Sequence, residues 1–216
     1  WYYAYFNDAV WLAATWRSVR IAACASLLAT VAGTMSVVAL PKLRAGLRTG
    51  LMGLFLAPAI VPNIIVALGI FILALHIGVT ESEAVLILAH AAIGMPFVVM
   101  IVGAAYRQSD PTLERAARIC GAGPINAFRT AVLPQLMPAI LAAAIFAFFV
   151  SFDELVIALF LMGGAETLPV RLWNDLRFQI NPTIAAISTI LIVFSTLAMG
   201  VAEMFRQRAS RKQEAA

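Results

Sequence analysis

Charge is what this sequence has least of. Of its 216 residues only 12% are Asp, Glu, Lys or Arg, while 62% are hydrophobic, which is more apolar surface than a soluble domain of this length can bury. Lipid is the expected solvent. Histidine and cysteine are scarce too, with two of each. His76 and His90 have no cysteine or acid at ligand spacing, so both read as interfacial or packed residues and no metal site is expected. Cys24 lies inside an apolar run, and Cys120 lies in a polar connection expected on the opposite side of the bilayer, which excludes a disulfide between them. No GxxxxGK[ST] loop is present, and the one dense glycine segment, CGAGPINAF, lacks the lysine and preceding strand that phosphate cradling requires. No serine, histidine and acid constellation suggests a hydrolase, so no catalytic residue is assigned. The chain opens Trp1, Tyr2, Tyr3 with no initiator methionine and no basic n-region, so no signal peptide is expected in this sequence, and upstream sequence is expected to be missing.

What the sequence does have is long apolar runs. Five of them, at 18–40, 51–76, 84–105, 139–162 and 183–205, are long enough to cross ~30 Å of hydrocarbon at ~1.5 Å per residue. They are continuous instead of alternating in short pieces, which favours helices over a barrel. The expected fold is an all-α polytopic transmembrane bundle, one permease-sized domain over 1–216. Basic residues lie between the first and second runs (Lys42, Arg44, Arg48), between the third and fourth (Arg107, Arg115, Arg118, Arg129) and after the fifth (Arg206, Arg208, Arg211, Lys212). That clustering is a topology signal and not a nucleic-acid signal: these segments share the cytoplasmic side, leaving the start of the chain outside and its end in the cytoplasm. Five spans with an outside start imply a parent of six. The four tryptophans, Trp1, Trp11, Trp16 and Trp173, all fall on the outer side, as rings of an interfacial belt do.

Within the runs, Ala22, Ala25, Ala29 and Gly33 share one helix face and permit close packing. Pro58, Pro62 and Asn63 in the second run, and Pro96 in the third, mark kinks that either shape a pore or serve ordinary packing. Asp153 and Glu154 sit about 21 Å along the fourth run, in its outer half. A carboxylate there costs ~2.5–3.5 kcal/mol unless a cavity or partner receives it. The pair is read either as a cation-attracting ring at the mouth of a pathway, together with Pro62 and Asn63, or as a helix–helix tie. Adjacent helical positions point about 100° apart, so one of the two faces the pathway, and Asp153 is assigned the structural contact. Arg171, Asp175 and Arg177 lie in an outer loop, where they either meet a docked protein or gate, or are simply solvated.

One polar segment is built for more than spanning: SDPTLERAARICGAGPINAFRTAVLPQLMP, from Ser109 to Pro138. Asp110 caps a helix with Pro111 at its first position, and Leu113, Ala116, Ala117 and Cys120 recur at helical spacing before Gly121 and Gly123 stop it. A second short helix starts at Pro124 and ends before Leu133 and Pro134. This knob either docks a partner or lies on the headgroups as an amphipathic loop.

The segment resembles the cytoplasmic coupling motif of binding-protein-dependent ABC importer permeases, EAA, three residues, G, nine residues, I, one residue, LP. Ala116, Ala117, Gly121, Leu133 and Pro134 match in register; Arg115 and Ala131 stand where the glutamate and isoleucine would be, with Glu114 one position early. The resemblance extends through APAIVPNIIVALGI, SFDELVIALFL and TLPVRLWNDLRFQINPTIAA, the last two being most similar to the spermidine/putrescine branch. It implies a permease subunit in the inner membrane and a coupling segment over 109–134. Three partners follow from it: a cytoplasmic ABC ATPase dimer, a second homologous permease and an extracytoplasmic solute-binding protein. No cofactor is then bound by this chain; ATP and Mg belong to the ATPase, and Arg171, Asp175 and Arg177 fall where a binding protein or outer gate would touch. The alternatives are a permease of the same superfamily for another solute, a secondary transporter or channel using the intramembrane acids, and a scaffold.

Overall fold

The computed structural model describes the backbone of residues 1–178 and 182–214. Among these residues every regular element is helical. A short α1 (Tyr2–Asn7) is followed by α2 (Ala9–Ala39), joined at Asp8, whose carboxylate accepts the Val10 N–H at 2.8 Å. With its closing turn, Leu40–Lys42, α2 forms a 34-residue helix. It begins nine residues before the expected span, because positions 9 to 17 contain nothing that stops a helix and are buried in part by later elements.

The expected small-residue face is where α2 meets the rest of the bundle. Ala22, Ala25, Ala29 and Gly33 are all buried, and their main partner is α5 (Glu83–Gln108). A Cβ on Gly33 would stand 2.7 Å from Val98 Cγ1, so the two backbones approach as closely as glycine allows. One turn away, Gly94 of α5 is flanked by Ala29 and by Ala147 of a third helix, each within 3.6 Å of where a Cβ would be. Three helices therefore cross at a point built from two alanines and a glycine.

The second apolar run does not form one span. It is split into α3 (Ala45–Leu56), a tight turn (Ala57–Ala59) and α4 (Asn63–His76), with a bend of 105° between the pair. Pro58 and Pro62 account for the break: each lacks the N–H that a continuing helix would use, and Pro62 stands just before α4 with extended backbone, φ -55° and ψ 134°.

After α5, Asp110 caps α6 (Pro111–Ile119) as expected, accepting the Thr112 N–H at 2.8 Å. The helix from Pro124 does not stop at Leu133 and Pro134. α7 (Pro124–Ala127) passes through a π turn (Phe128–Val132) into α8 (Leu133–Phe152), one helix of 29 residues. The wider π turn makes room for the Pro134 ring, which would otherwise clash with the preceding carbonyls. The fourth run also ends early: α8 stops at Phe152, and α9 (Val156–Leu161) resumes after a break at 153–155. α10 (Leu168–Phe178) and α11 (Thr183–Glu214) complete the chain. α11 lies where the fifth run is expected, with a shorter apolar stretch over Thr183–Leu197; the side chains of Arg206, Arg208, Arg211 and Lys212 lie outside the described residues. By length and composition, three helices and the bent α3–α4 pair can cross a membrane.

The bundle packs in three zones. α2, α5 and α8 bury Ala29, Val98, Val102, Leu136 and Ala143 toward the end that carries α6. α4 and α9 cover the other half of α5 through Ala67, Ala74, Ile157 and Leu161. At the α10 end, Tyr5, Trp11, Phe152, Leu168 and Ile187 close the bundle. Trp11 is therefore a core residue, only 3% exposed, and not part of an interfacial belt; Trp1, Trp16 and Trp173 remain exposed. It is buried because α10 folds back over it. Replacing Gly33 by leucine should lower the stability of the detergent-solubilised protein by ~1–3 kcal/mol through overpacking against Val98. Gly50→Leu on α3, where a Cβ meets nothing within 4 Å, should leave the thermal midpoint unchanged or raise it.

Candidate functional site

The two helix breaks face each other. Glu154, in the break between α8 and α9, is 8% exposed. Its Oε2 accepts the Asn63 amide N–H at 2.6 Å, and its Oε1 accepts the backbone N–H groups of Val156 and Ile157 at 2.9 and 3.1 Å. One carboxylate thus caps the first turn of α9 and ties it to the first residue of α4. This is how a buried carboxylate is tolerated: its lone pairs are occupied by two backbone donors that the α8–α9 break sets free and by the Asn63 side-chain amide.

Asp153 does the opposite. It is exposed, has no ion-pair partner among the described residues, and lines a cleft of about 570 Å³ with Asn63, Phe146, Phe149, Phe152, Phe194 and Ser195. The assignment of the structural contact to Asp153 is corrected: Glu154 makes it. The expectation took both residues as helical neighbours, but the helix ends at Phe152 and the longer glutamate reaches back to cap α9. The aromatic wall is ordered, with Phe148 stacked on Phe152 at 5.7 Å and Phe149 against Phe194 at 6.2 Å. Pro62 precedes Asn63 as the last residue before α4 and contributes to the bend, not to the lining of the cleft. His90 is packed, its Nδ1 2.8 Å from the Ser151 hydroxyl; His76 is exposed at the end of α4. Among the described residues no group of three or more His, Cys, Asp or Glu can hold a metal ion.

Arg171, Asp175 and Arg177 lie on α10, a helix and not a loop. Arg171 pairs with Glu166 and Asp175, each at 3.3 Å, and its guanidinium lies 5.4 Å from the centre of the Trp11 ring. Arg177 stacks over Trp173 at 5.9 Å. Four further residues at this end were not singled out from the sequence. Glu83 receives Arg17 at 3.2 Å and Arg20 at 2.5 Å, and Arg17 also donates to the Glu166 carbonyl at 2.8 Å. The available signal was two arginines three residues apart, on one helical face beside an apolar run, with two glutamates, Glu81 and Glu83, just before the third run.

At the other end, α6 closes with a Schellman turn. The Ala122 N–H reaches the Ala117 carbonyl and the Gly121 N–H the Arg118 carbonyl, both at 3.0 Å, with Gly121 at φ +89°. A side chain at that φ is strained, by ~1–2 kcal/mol. The Thr112 backbone N–H, and then its hydroxyl, hold the Asp110 carboxyl below the ordinary carboxylate range. The Asp110 N–H donates to Gln135 Oε1 at 3.1 Å, linking the start of α6 to α8. Glu114 is turned to Arg118 at 2.6 Å. Arg115, Ala116, Gly121 and Pro134 are exposed, Ala117 and Leu133 half-buried. Ile119 and Ile125 are 87% and 73% exposed, so the knob presents an apolar surface with no cover from its own chain. Cys24 and Cys120 are both free.

Residues 25–211 match the family described as binding-protein-dependent transport system inner membrane component. The chain belongs to this family. It is thus a multi-pass inner-membrane permease subunit of an ABC importer and not an enzyme, ATP hydrolysis being the work of separate ATPase subunits. Importer permeases of this family act with an ATPase, a second permease and a solute-binding protein. The chain is similar to the putrescine transport system permease protein PotI of Escherichia coli K12, 34% identical over 89% of this chain and 71% of the relative. It also resembles the spermidine/putrescine transport system permease protein PotC of Haemophilus influenzae, 27% identical over 96% and 81%. Among solved structures, the MetNI methionine ABC transporter in inward-facing conformations shares the fold with a TM-score of 0.72 at 18% identity, over 91% of this chain and 94% of that one. An ABC transporter that imports the polysaccharide alginate matches at 0.67 and 13% identity, over 97% and 82%.

For this importer permease the two adjacent acids should separate cleanly. Glu154→Ala strands the Asn63 amide and two backbone donors and should lower thermal stability by about 2–4 kcal/mol. Asp153→Ala should stay within ~0.5 kcal/mol, and the reverse order would contradict the assignment.

Proposed function

We propose that this permease passes small organic cations, di- and polyamines among them, through the cleft beside Asp153. The observation that carries the reading is a carboxylate without an ion-pair partner among the described residues, set among Phe146, Phe149, Phe152 and Phe194. An ammonium is attracted by the carboxylate at short range and by the aromatic faces around it, and a chain of methylenes between two ammonium groups suits the apolar wall. The names of the relatives, transport systems for putrescine and for spermidine with putrescine, support the same solute class.

The α6 end faces the cytoplasm in this reading, by the basic residues Lys42, Arg44, Arg48, Arg107, Arg115, Arg118 and Arg129. The start of the chain and the α10 end then lie outside, and its C-terminus in the cytoplasm. The turn from Glu114 and Arg115 through Ala116, Ala117 and Gly121, with Leu133 and Pro134 behind it, docks into a cytoplasmic ATPase dimer, which alone holds ATP and Mg. The exposed apolar side chains Ile119 and Ile125 suit such a contact. Because the helix from Pro124 to Phe152 is unbroken, movement of the knob is carried to Asp153 at its far end, alternating access with a second permease subunit. At the α10 end, Arg171, Asp175 and Arg177 form the charged rim offered to a solute-binding protein.

Uptake by proteoliposomes holding the complete importer, with its binding protein and ATP, tests both halves. Asp153→Asn should raise the KM for putrescine about tenfold, equivalent to ~1.4 kcal/mol, with ATPase association unchanged. Gly121→Val should reduce the ATPase that copurifies and abolish uptake of every solute. An Asp153→Asn importer with unaltered putrescine kinetics, or one that takes up anions as readily, would remove the cation reading while leaving the family membership intact.

A further inference from the structure

A second cavity, of about 250 Å³, opens between the end of α2, α3 and the last turns of α5, and is lined by Val37, Leu40, Met52, Tyr106, Arg48 and Arg107. Its floor is Gly103. A Cβ there would lie 3.8 Å from Arg107 Nη1 and 3.7 Å from Val37 Cγ2. The guanidinium of Arg107 is therefore folded back along α5, four residues toward the interior of the bundle, into space that the glycine leaves open.

Neither Arg48 nor Arg107 makes an ion pair or a side-chain hydrogen bond among the described residues. The carboxylates that follow α5 are engaged elsewhere, Asp110 as the cap of α6 and Glu114 with Arg118. None comes from the first part of the chain, which has no acidic residue between Asp8 and Glu81. The start of α3 adds to the positive field: its N-cap residue is Arg44, without a side-chain cap bond, and its first turn holds no acid. Two guanidiniums on one apolar-walled cavity at the edge of the hydrocarbon, with no ion-pair partner among the described residues, form an incomplete electrostatic site.

We infer that this cavity binds the phosphate of an anionic phospholipid. Arg48 and Arg107 grip the phosphate oxygens, as the planar forked geometry of guanidinium favours, in a cavity that Tyr106 also lines. The cavity is too small for a whole lipid; the acyl chains run out past Met52 and over the exposed Leu47 and Leu54 of α3, which face hydrocarbon. Basic pockets between spans at headgroup depth are suited to such lipids. The lipid would brace α3, which leads through the 105° bend to α4 and Asn63, against α5. The inference stands on these residues and does not depend on the solute carried.

Native mass spectrometry of the detergent-solubilised importer complex, stripped of lipid and then given phosphatidylglycerol or phosphatidylcholine, tests it. The complex should retain phosphatidylglycerol selectively, and R48Q/R107Q should retain about tenfold less. The single variants R48K and R107K, which keep the charge but lose the fork, should fall between the two, and they serve if the double variant fails to fold. Excess inorganic phosphate should not displace the lipid. Displacement by phosphate alone would assign the site to a soluble anion and overturn the lipid assignment. Equal retention of phosphatidylglycerol by the complex and its variants, or loss of a partner subunit with lipid retention unaltered, would overturn it as well.

Discussion

Hydrocarbon offers a broken helix no water to hydrogen-bond with, and this permease breaks two. Each interruption, between α3 and α4 and between α8 and α9, frees backbone donors and acceptors that cost several kcal/mol apiece in lipid if left alone. Glu154 answers the second and ties it to the first. Its carboxylate takes two N–H groups from the start of α9 and the amide of Asn63 at the start of α4. The backbone donors of the α9 break are thereby satisfied, and the Asn63 side chain holds the α4 break beside it. Everything at that end of the bundle follows: α4 and α9 pack as a pair over α5, α8 stops with Phe152 in the core, and the next residue, Asp153, is left pointing into an open cleft instead of along a helix.

The two ends of the molecule are organised on different physical terms. At the α10 end, Glu83, Glu166, Arg17, Arg20 and Arg171 link α2, α5 and α10 through partly exposed ion pairs, each weak singly but joined into a network. Such contacts can be exchanged at small cost, as a gate requires. At the α6 end the fixed features are local backbone bonds: a capped start, a Schellman finish and the Asp110–Gln135 link to α8. That makes α6 a stiff projection. In the proposed cycle a stiff end driven by the ATPase and an exchangeable end facing the binding protein are joined by one unbroken helix.

What was readable from the amino acids, and what was not, divides along the same line. Continuous apolar runs and the Ala22, Ala25, Ala29, Gly33 face announce α2 and its close partner, since close packing demands small residues at helical spacing. Asp110, Pro111 and Gly121 announce both ends of α6, because caps are written in residue type. The breaks were hidden, as apolarity is the same on both sides of them. Pro58 and Pro62 signalled a kink but not its size. The passage from α7 to α8 was missed because a π turn has no compositional signature, so Pro134 read as a stop. The roles of Asp153 and Glu154 were exchanged for a related reason: helical geometry was assumed across a place where the helix ends. Trp11 looked interfacial only because nothing local foretells that α10 folds back over it.

Cysteine accessibility at the two adjacent acids tests the account at its centre. In a background with Cys24 and Cys120 replaced by alanine, Asp153→Cys and Glu154→Cys can each be exposed to a cationic thiol reagent in sealed vesicles holding the complete importer. The account predicts fast labelling at 153 that slows when the loaded binding protein delivers putrescine, and little labelling at 154. Equal labelling at both positions, or labelling at 153 indifferent to the solute, would contradict it.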